Sequence, residues 1–81
     1  MISNADASAI AKGNCVSVCN TDWKYVCERK PHMITNADIK AFAQGKSYLI
    51  SNSDLKAFSE GKPQMISDLN LRKLYNSGWR P

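Results

Sequence analysis

Three cysteines and the chain's single histidine fall between positions 15 and 32, at Cys15, Cys19, Cys27 and His32. Thiols and an imidazole this close can do one of three things. They can remain free, with a buried Cys behaving as a small hydrophobe. One pair can oxidise, Cys15 with Cys27 or Cys19 with Cys27. Or all four can hold a tetrahedral zinc, which would make the chain a zinc-stabilised structural subunit. The odd cysteine count and the reducing cytosol place free thiols first. The zinc set has the right ligand number, but its spacing is not diagnostic, so no metal ligand is assigned.

The second group that could do chemistry is basic. Lys24, Lys40, Lys56 and Arg72 recur at intervals of 16 residues, and so do Lys30, Lys46 and Lys62. Recurrence at one register on a repeat scaffold aligns a residue type along one side. Such a stripe would meet an acidic protein, a nucleoprotein surface or a nucleic-acid backbone. Tyr25, Tyr48, Trp23 and Trp79 are the aromatics near it, and bases can stack on exposed rings. Tyr25 stands where other copies carry Ala or Lys, which makes it the expected exposed anchor. The opposing reading is a solvated face, because a lysine near a helix C-terminus already complements the helix dipole.

The elements that must position these residues follow from the same period. Ile2, Val18, Ile34, Ile50 and Ile66 head five copies. Asp6, Asp22, Asp38, Asp54 and Asn70 lie four places on, and Ile10, Val26, Phe42, Phe58 and Leu74 four places after that. The units are 1–16, 17–32, 33–48, 49–64 and 65–81. Ser3, Cys19, Thr35, Ser51 and Ser67 stand three places before the acidic position, the spacing of a capping box. Ile34 with Ile39, Ile50 with Leu55 and Ile66 with Leu71 have the spacing of a hydrophobic staple. Gly13, Gly45 and Gly61, with Gly78 one place later, supply the left-handed residue that stops a helix. The pattern predicts five short helices at 4–12, 20–28, 36–44, 52–60 and 68–76. Helices this short do not persist alone. An all-α, single-domain compact, curved stacked array over 1–81 is therefore expected, with a compact five-helix cluster around one core as the alternative. Its period matches none of the common helical repeats. Trp79 and Arg80 would cap the open end of the stack. Apolar Met1, Ile2 and Ile10 at the other end would permit an end-to-end homodimer.

Composition adds bounds. The formal net charge is +4, with 43% hydrophobic and 22% charged residues, as in an ordinary small globular chain. There is no apolar run long enough to cross a membrane, and the start of the chain lacks a basic segment followed by an apolar one. A cytoplasmic location is the expectation. The acids are explained by capping, the single His lies in a Pro-bounded linker, and Gly45-Lys46 and Gly61-Lys62 end helices rather than open them. No phosphate loop, cofactor site or catalytic group follows. The expected function is non-enzymatic: docking on, and blocking, a larger acidic partner.

Overall fold

The computed structural model describes residues 2–46 and 53–81. The expected contributions of Met1, Tyr48, Ile50 and Ser51, and the expected start of the fourth helix at 52, lie outside them. Five helices and no strand occur among the described residues: α1 (Asn4–Ala11), α2 (Thr21–Cys27), α3 (Ala37–Ala43), α4 (Ser53–Ser59) and α5 (Leu69–Asn76). Each unit ends its helix in the same way. In the first four units the residue after the C-cap is left-handed, and the next backbone N–H returns to a carbonyl five residues back. Examples are Asn14 to Ala9, Lys46 to Ala41 and Lys62 to Ala57. This is a Schellman exit. The second unit has no glycine there, and Arg29 takes the left-handed conformation itself, at φ 60°. A short 3-10 turn follows at Cys15–Ser17, Pro31–Met33 and Pro63–Met65.

The helix entries differ from expectation. The capping residue is Ser3 only in the first unit, where its Oγ accepts from Asp6 N–H at 3.2 Å. In the second, third and fifth units the cap is one place later, at Asn20, Asn36 and Asp68. Asn and Asp cap at least as well as Ser, and the hydroxyl position is used elsewhere. The recurrent aspartate does not reach back across its own helix start. It reaches the next unit. Asp6 carboxylate oxygens accept from Cys19 N–H at 2.8 Å and Asn20 N–H at 3.0 Å. Asp22 accepts from the Thr35 backbone and hydroxyl, and Asp54 from the Ser67 backbone and hydroxyl and from Asp68 N–H. The Ser/Thr-x-x-Asp pattern is therefore half of an inter-unit clamp.

The array closes on itself. Each helix packs against its neighbours in sequence, and α1 packs against α5. Asn70, the residue in the aspartate register of the last unit, donates from Nδ2 to the Ile2 carbonyl at 3.0 Å. An open stack with two ends is replaced by a five-membered ring. Ile2 and Ile10 are buried, because first and last helices cover each other. Of the three apolar residues behind the expected end-to-end dimer, Ile2 and Ile10 are covered within the ring and Met1 lies outside the described residues.

The core sits inside the ring. Ile10, Val26, Phe42, Phe58 and Leu74 are each at most 2% exposed. Phe42 meets Trp23 and Phe58 edge-on at centroid distances of 6.0 and 5.0 Å. Ala9, Ala41 and Ala57 are buried between helices, where only a small side chain lets neighbouring backbones approach.

Candidate functional site

Because each clamp ties the first turn of one helix to the start of the next, the helix starts gather on one side of the ring. The helix exits gather on the other. Trp79 packs there on Phe42 and Phe58, each at a centroid distance of 6.1 Å, and Arg29 lies over its indole at 5.5 Å. Arg80 lies over Tyr75 at 4.1 Å and donates to the Trp79 carbonyl. Gly45, Gly61 and Arg80 line one shallow depression on this side.

The predicted basic residues divide between two places. Lys30, Lys46 and Lys62 follow the left-handed residue and stand on the exit side, all exposed. Lys12, Arg29 and Arg80 join them, so six cations gather where helix dipoles are negative. Lys30 and Lys62 make loose pairs with Glu28 and Glu60, at 3.8 and 3.9 Å. Exposed pairs this long are worth about 0–1 kcal/mol and leave both groups open to exchange.

Lys24, Lys40, Lys56 and Arg72 each follow Trp23, Ile39, Leu55 and Leu71 and so lie about 100° round the helix from them. Lys56 is exposed, and the other three are half-buried. Arg72 also has a folding role that its recurrence did not suggest: its Nε and Nη2 donate to the Ile66 carbonyl at 3.1 and 2.7 Å. Tyr25 is half-buried and packs against the core instead of standing exposed; three other units carry a buried Ala at this register, and the fifth carries the exposed Lys73. Trp23 is core, at 3% exposure.

The cysteine cluster is resolved by geometry. Cys15 and Cys27 form a disulfide with Cα atoms 5.7 Å apart, and Cys19 is a free, exposed thiol. The leading expectation of three free thiols is overturned. The bridge ties the turn after α1 to the last turn of α2, two segments the ring already brings together. The zinc set loses two of its four ligands to this bond. Among the described residues no group of three or more His, Cys, Asp or Glu side chains could hold a metal ion.

On the side of the helix starts lies an axial depression of about 220 Å³. Trp23, Ile39, Leu55 and Leu71, one register in four successive units, form its apolar lining with Ile2. Asp38, Asp54 and Asp68 stand on its rim. The Asp54 carboxyl is held below the usual carboxylate range, first by the Ser67 backbone N–H and then by the Ser67 hydroxyl. Burial opposes this, while Asp68 N–H and the charge of Arg72 add to it.

Sequence reasoning missed Asn70, the position-four caps and the axial depression. Two signals bear on them. Asp and the next unit's hydroxyl recur with constant separation, and the one break in the Asp register falls at Asn70, in the fifth unit. Among the described residues no helix is long and apolar enough to cross a membrane. Comparison with known proteins finds no matching family model, no matching curated protein and no matching solved structure.

Proposed function

We propose that the chain is a small non-enzymatic docking module that binds, and by its bulk occludes, an acidic protein or nucleoprotein surface. The observation that carries this reading is the gathering of Lys30, Lys46 and Lys62 with Lys12, Arg29 and Arg80 on the exit side of the ring. Six cations against two acids, Glu28 and Glu60, leave this side net positive, and a clustered field steers association with an anionic partner. Lys24, Lys40, Lys56 and Arg72 are assigned the outer edge of that contact, where one or two of them reach a given partner. The rigid clamp network lowers the ordering cost of binding. The aspartates are engaged in joining units, and this supports a binding role over an acid–base one. The Cys15–Cys27 disulfide supports an oxidising compartment rather than the expected cytoplasm, since cytosolic thiols are kept reduced.

The test is affinity capture from the source cells with wild type and a Lys30→Glu/Lys46→Glu/Lys62→Glu variant, with and without nuclease. A protein retained after nuclease and lost with the variant supports the proposal. Recovery of nucleic acid alone, with steep salt dependence, replaces it with a nucleic-acid-binding reading. A partner held equally by the variant removes the basic side from the contact.

A further inference from the structure

We propose that the Cys15–Cys27 bridge is a redox latch that holds the exit of α2 in its left-handed turn, so that reduction of the bridge withdraws Arg29 and Lys30 from the exit side of the ring. The latch itself does not depend on the docking role proposed above. Its consequence for a partner rests on that reading, since the latch decides whether two of the six cations stand on the basic side.

The second unit departs from the others twice at one place. Among the described residues Arg29 is the one non-glycine with a positive φ, at 60°, where the exits of the first, third and fourth units have Gly13, Gly45 and Gly61 at 74°, 71° and 75°. A Cβ in this region crowds the following carbonyl oxygen, so a residue such as Arg stays there only when its surroundings hold it. The second departure is the bridge. Cys27 is the last residue of α2, two places before Arg29, and it is bonded to Cys15 at the start of the turn after α1. The one of these four exits that lacks a glycine is thus the one whose last helical turn carries a bridge. The turn itself consists of two backbone bonds that span Cys27: Arg29 N–H donates to the Val26 carbonyl at 3.2 Å, and Lys30 N–H to the Tyr25 carbonyl at 2.9 Å. Beyond Cys27 the chain is exposed. Arg29 lies over Trp79 at 5.5 Å, and Lys30 pairs with Glu28 at 3.8 Å. Such contacts are weak at exposed sites, which leaves the bridge as the strong restraint on the turn.

Cys15 and Cys27 are half-buried, so a small dithiol reaches them. One thiolate of the dithiol attacks a bridge sulfur. The sulfur–sulfur bond breaks, a mixed disulfide forms, and the departing cysteine thiolate takes a proton. The second thiol of the reductant then displaces the other cysteine, leaving two thiols on the chain and a disulfide in the reductant. Cys19 precedes α2 and lies about 12 Å along the helix from Cys27, so it does not take the place of Cys15.

The repeat supplies internal controls. The Lys46 and Lys62 amides make the same bond at glycine exits, to the Ala41 and Ala57 carbonyls. The measurement is amide hydrogen exchange of the full chain, oxidised and after reduction with excess dithiothreitol, with thiol titration confirming three free thiols in place of one. Reduction is expected to speed exchange at Lys30 about tenfold and to leave Lys46 and Lys62 within about twofold of their oxidised rates. The ring-current shift that Trp79 imposes on the Arg29 side chain disappears with it. In Arg29→Gly the exit needs no restraint, so reduction leaves Lys30 exchange within about twofold. Unchanged exchange at Lys30 in the reduced wild type overturns the proposal. So does an equal rise at Lys46 and Lys62, because the whole ring would then have loosened. So does the same rise in Arg29→Gly, because the bridge would then act without the left-handed residue. All of these readouts are taken without a partner, so failure of the latch and failure of the docking reading are told apart.

Discussion

Removal of the Asp6 side chain is expected to be the most damaging single polar substitution in the chain. Asp6 is 3% exposed and accepts two backbone N–H bonds, from Cys19 at 2.8 Å and Asn20 at 3.0 Å. Both donors belong to the start of the next unit, so the loss falls on the joint between α1 and α2. A hydrogen bond to a charged group contributes about 1.5–3 kcal/mol, and an unmet buried donor costs about 1–3 kcal/mol. Water can return to Cys19 and Asn20, which are exposed residues, so the sum is discounted. Asp6→Ala should destabilise by about 2–4 kcal/mol. A chain this size is stable by about 4–12 kcal/mol in total, so the variant keeps only part of that. Urea unfolding followed by far-ultraviolet circular dichroism is the assay. At a slope of about 1 kcal/mol per molar urea the midpoint moves down by about 2–4 M. Asp22→Ala is the control, because Asp22 accepts from the exposed Thr35 at 3.2 Å; it should cost about 1 kcal/mol or less. The clamp reading is refuted if Asp6→Ala costs no more than Asp22→Ala, because burial of the clamp would then contribute nothing.

Three further outcomes follow from the same geometry. Gly45 has φ +71° and, its chain neighbours aside, no atom of the described residues lies within 4 Å of its missing Cβ, whereas a Cβ at Gly61 would meet Tyr75 Oη at 3.3 Å. Gly45→Ala should therefore cost about 1 kcal/mol from the left-handed backbone alone, and Gly61→Ala more, both read from urea midpoints. The Cys15–Cys27 bridge has a sequence separation of 12, so its reduction should lower stability by about 3 kcal/mol. Cys19→Ser should change stability by less than about 0.5 kcal/mol, checked by thermal unfolding with and without reductant. The depressed Asp54 carboxyl contributes stability that is full above the unfolded value of about 3.9. That contribution is lost as pH falls through the lower folded value, because the unfolded chain then binds the proton first. Stability measured from pH 6 down to pH 2, sampled about every half unit, should fall less steeply in Asp54→Asn than in wild type.

Much of the fold was legible because its signals are local. The left-handed glycines and the apolar register of Ile10, Val26, Phe42, Phe58 and Leu74 act within one helix or its exit; the expected staple pairs lose their spacing once the cap moves one place on, to Asn36 and Asp68. The glycines and that register placed all five helices to within about two residues, the usual boundary error or better. Ring closure was not legible from these signals, because it depends on the rotation between units, which no single unit encodes. Asn70 marks the closure, yet it reads as an ordinary substitution until its Nδ2 is seen on the Ile2 carbonyl. The aspartates misled for a related reason. A carboxylate in the first turn of a helix suits both its own helix start and the adjoining one, and period alone does not choose between them. Arg72 and Tyr25 looked like surface residues because their register was judged from one helix, and the neighbouring unit covers or engages them. The sequence admits two pairings, Cys15 with Cys27 or Cys19 with Cys27, and only the folded distance between Cys15 and Cys27 selects the first.

Closure of the ring decides which basic residues can share one partner surface and whether the axial depression exists at all. It is tested most directly by methyl and amide NOEs between the first and last helices in solution. A closed ring predicts contacts from Ala7 to Leu74, which line one groove, and from the Ile2 region to the Asn70 side-chain amide. An open stack separates these residues by most of the chain, and absence of every NOE between α1 and α5 would contradict the account.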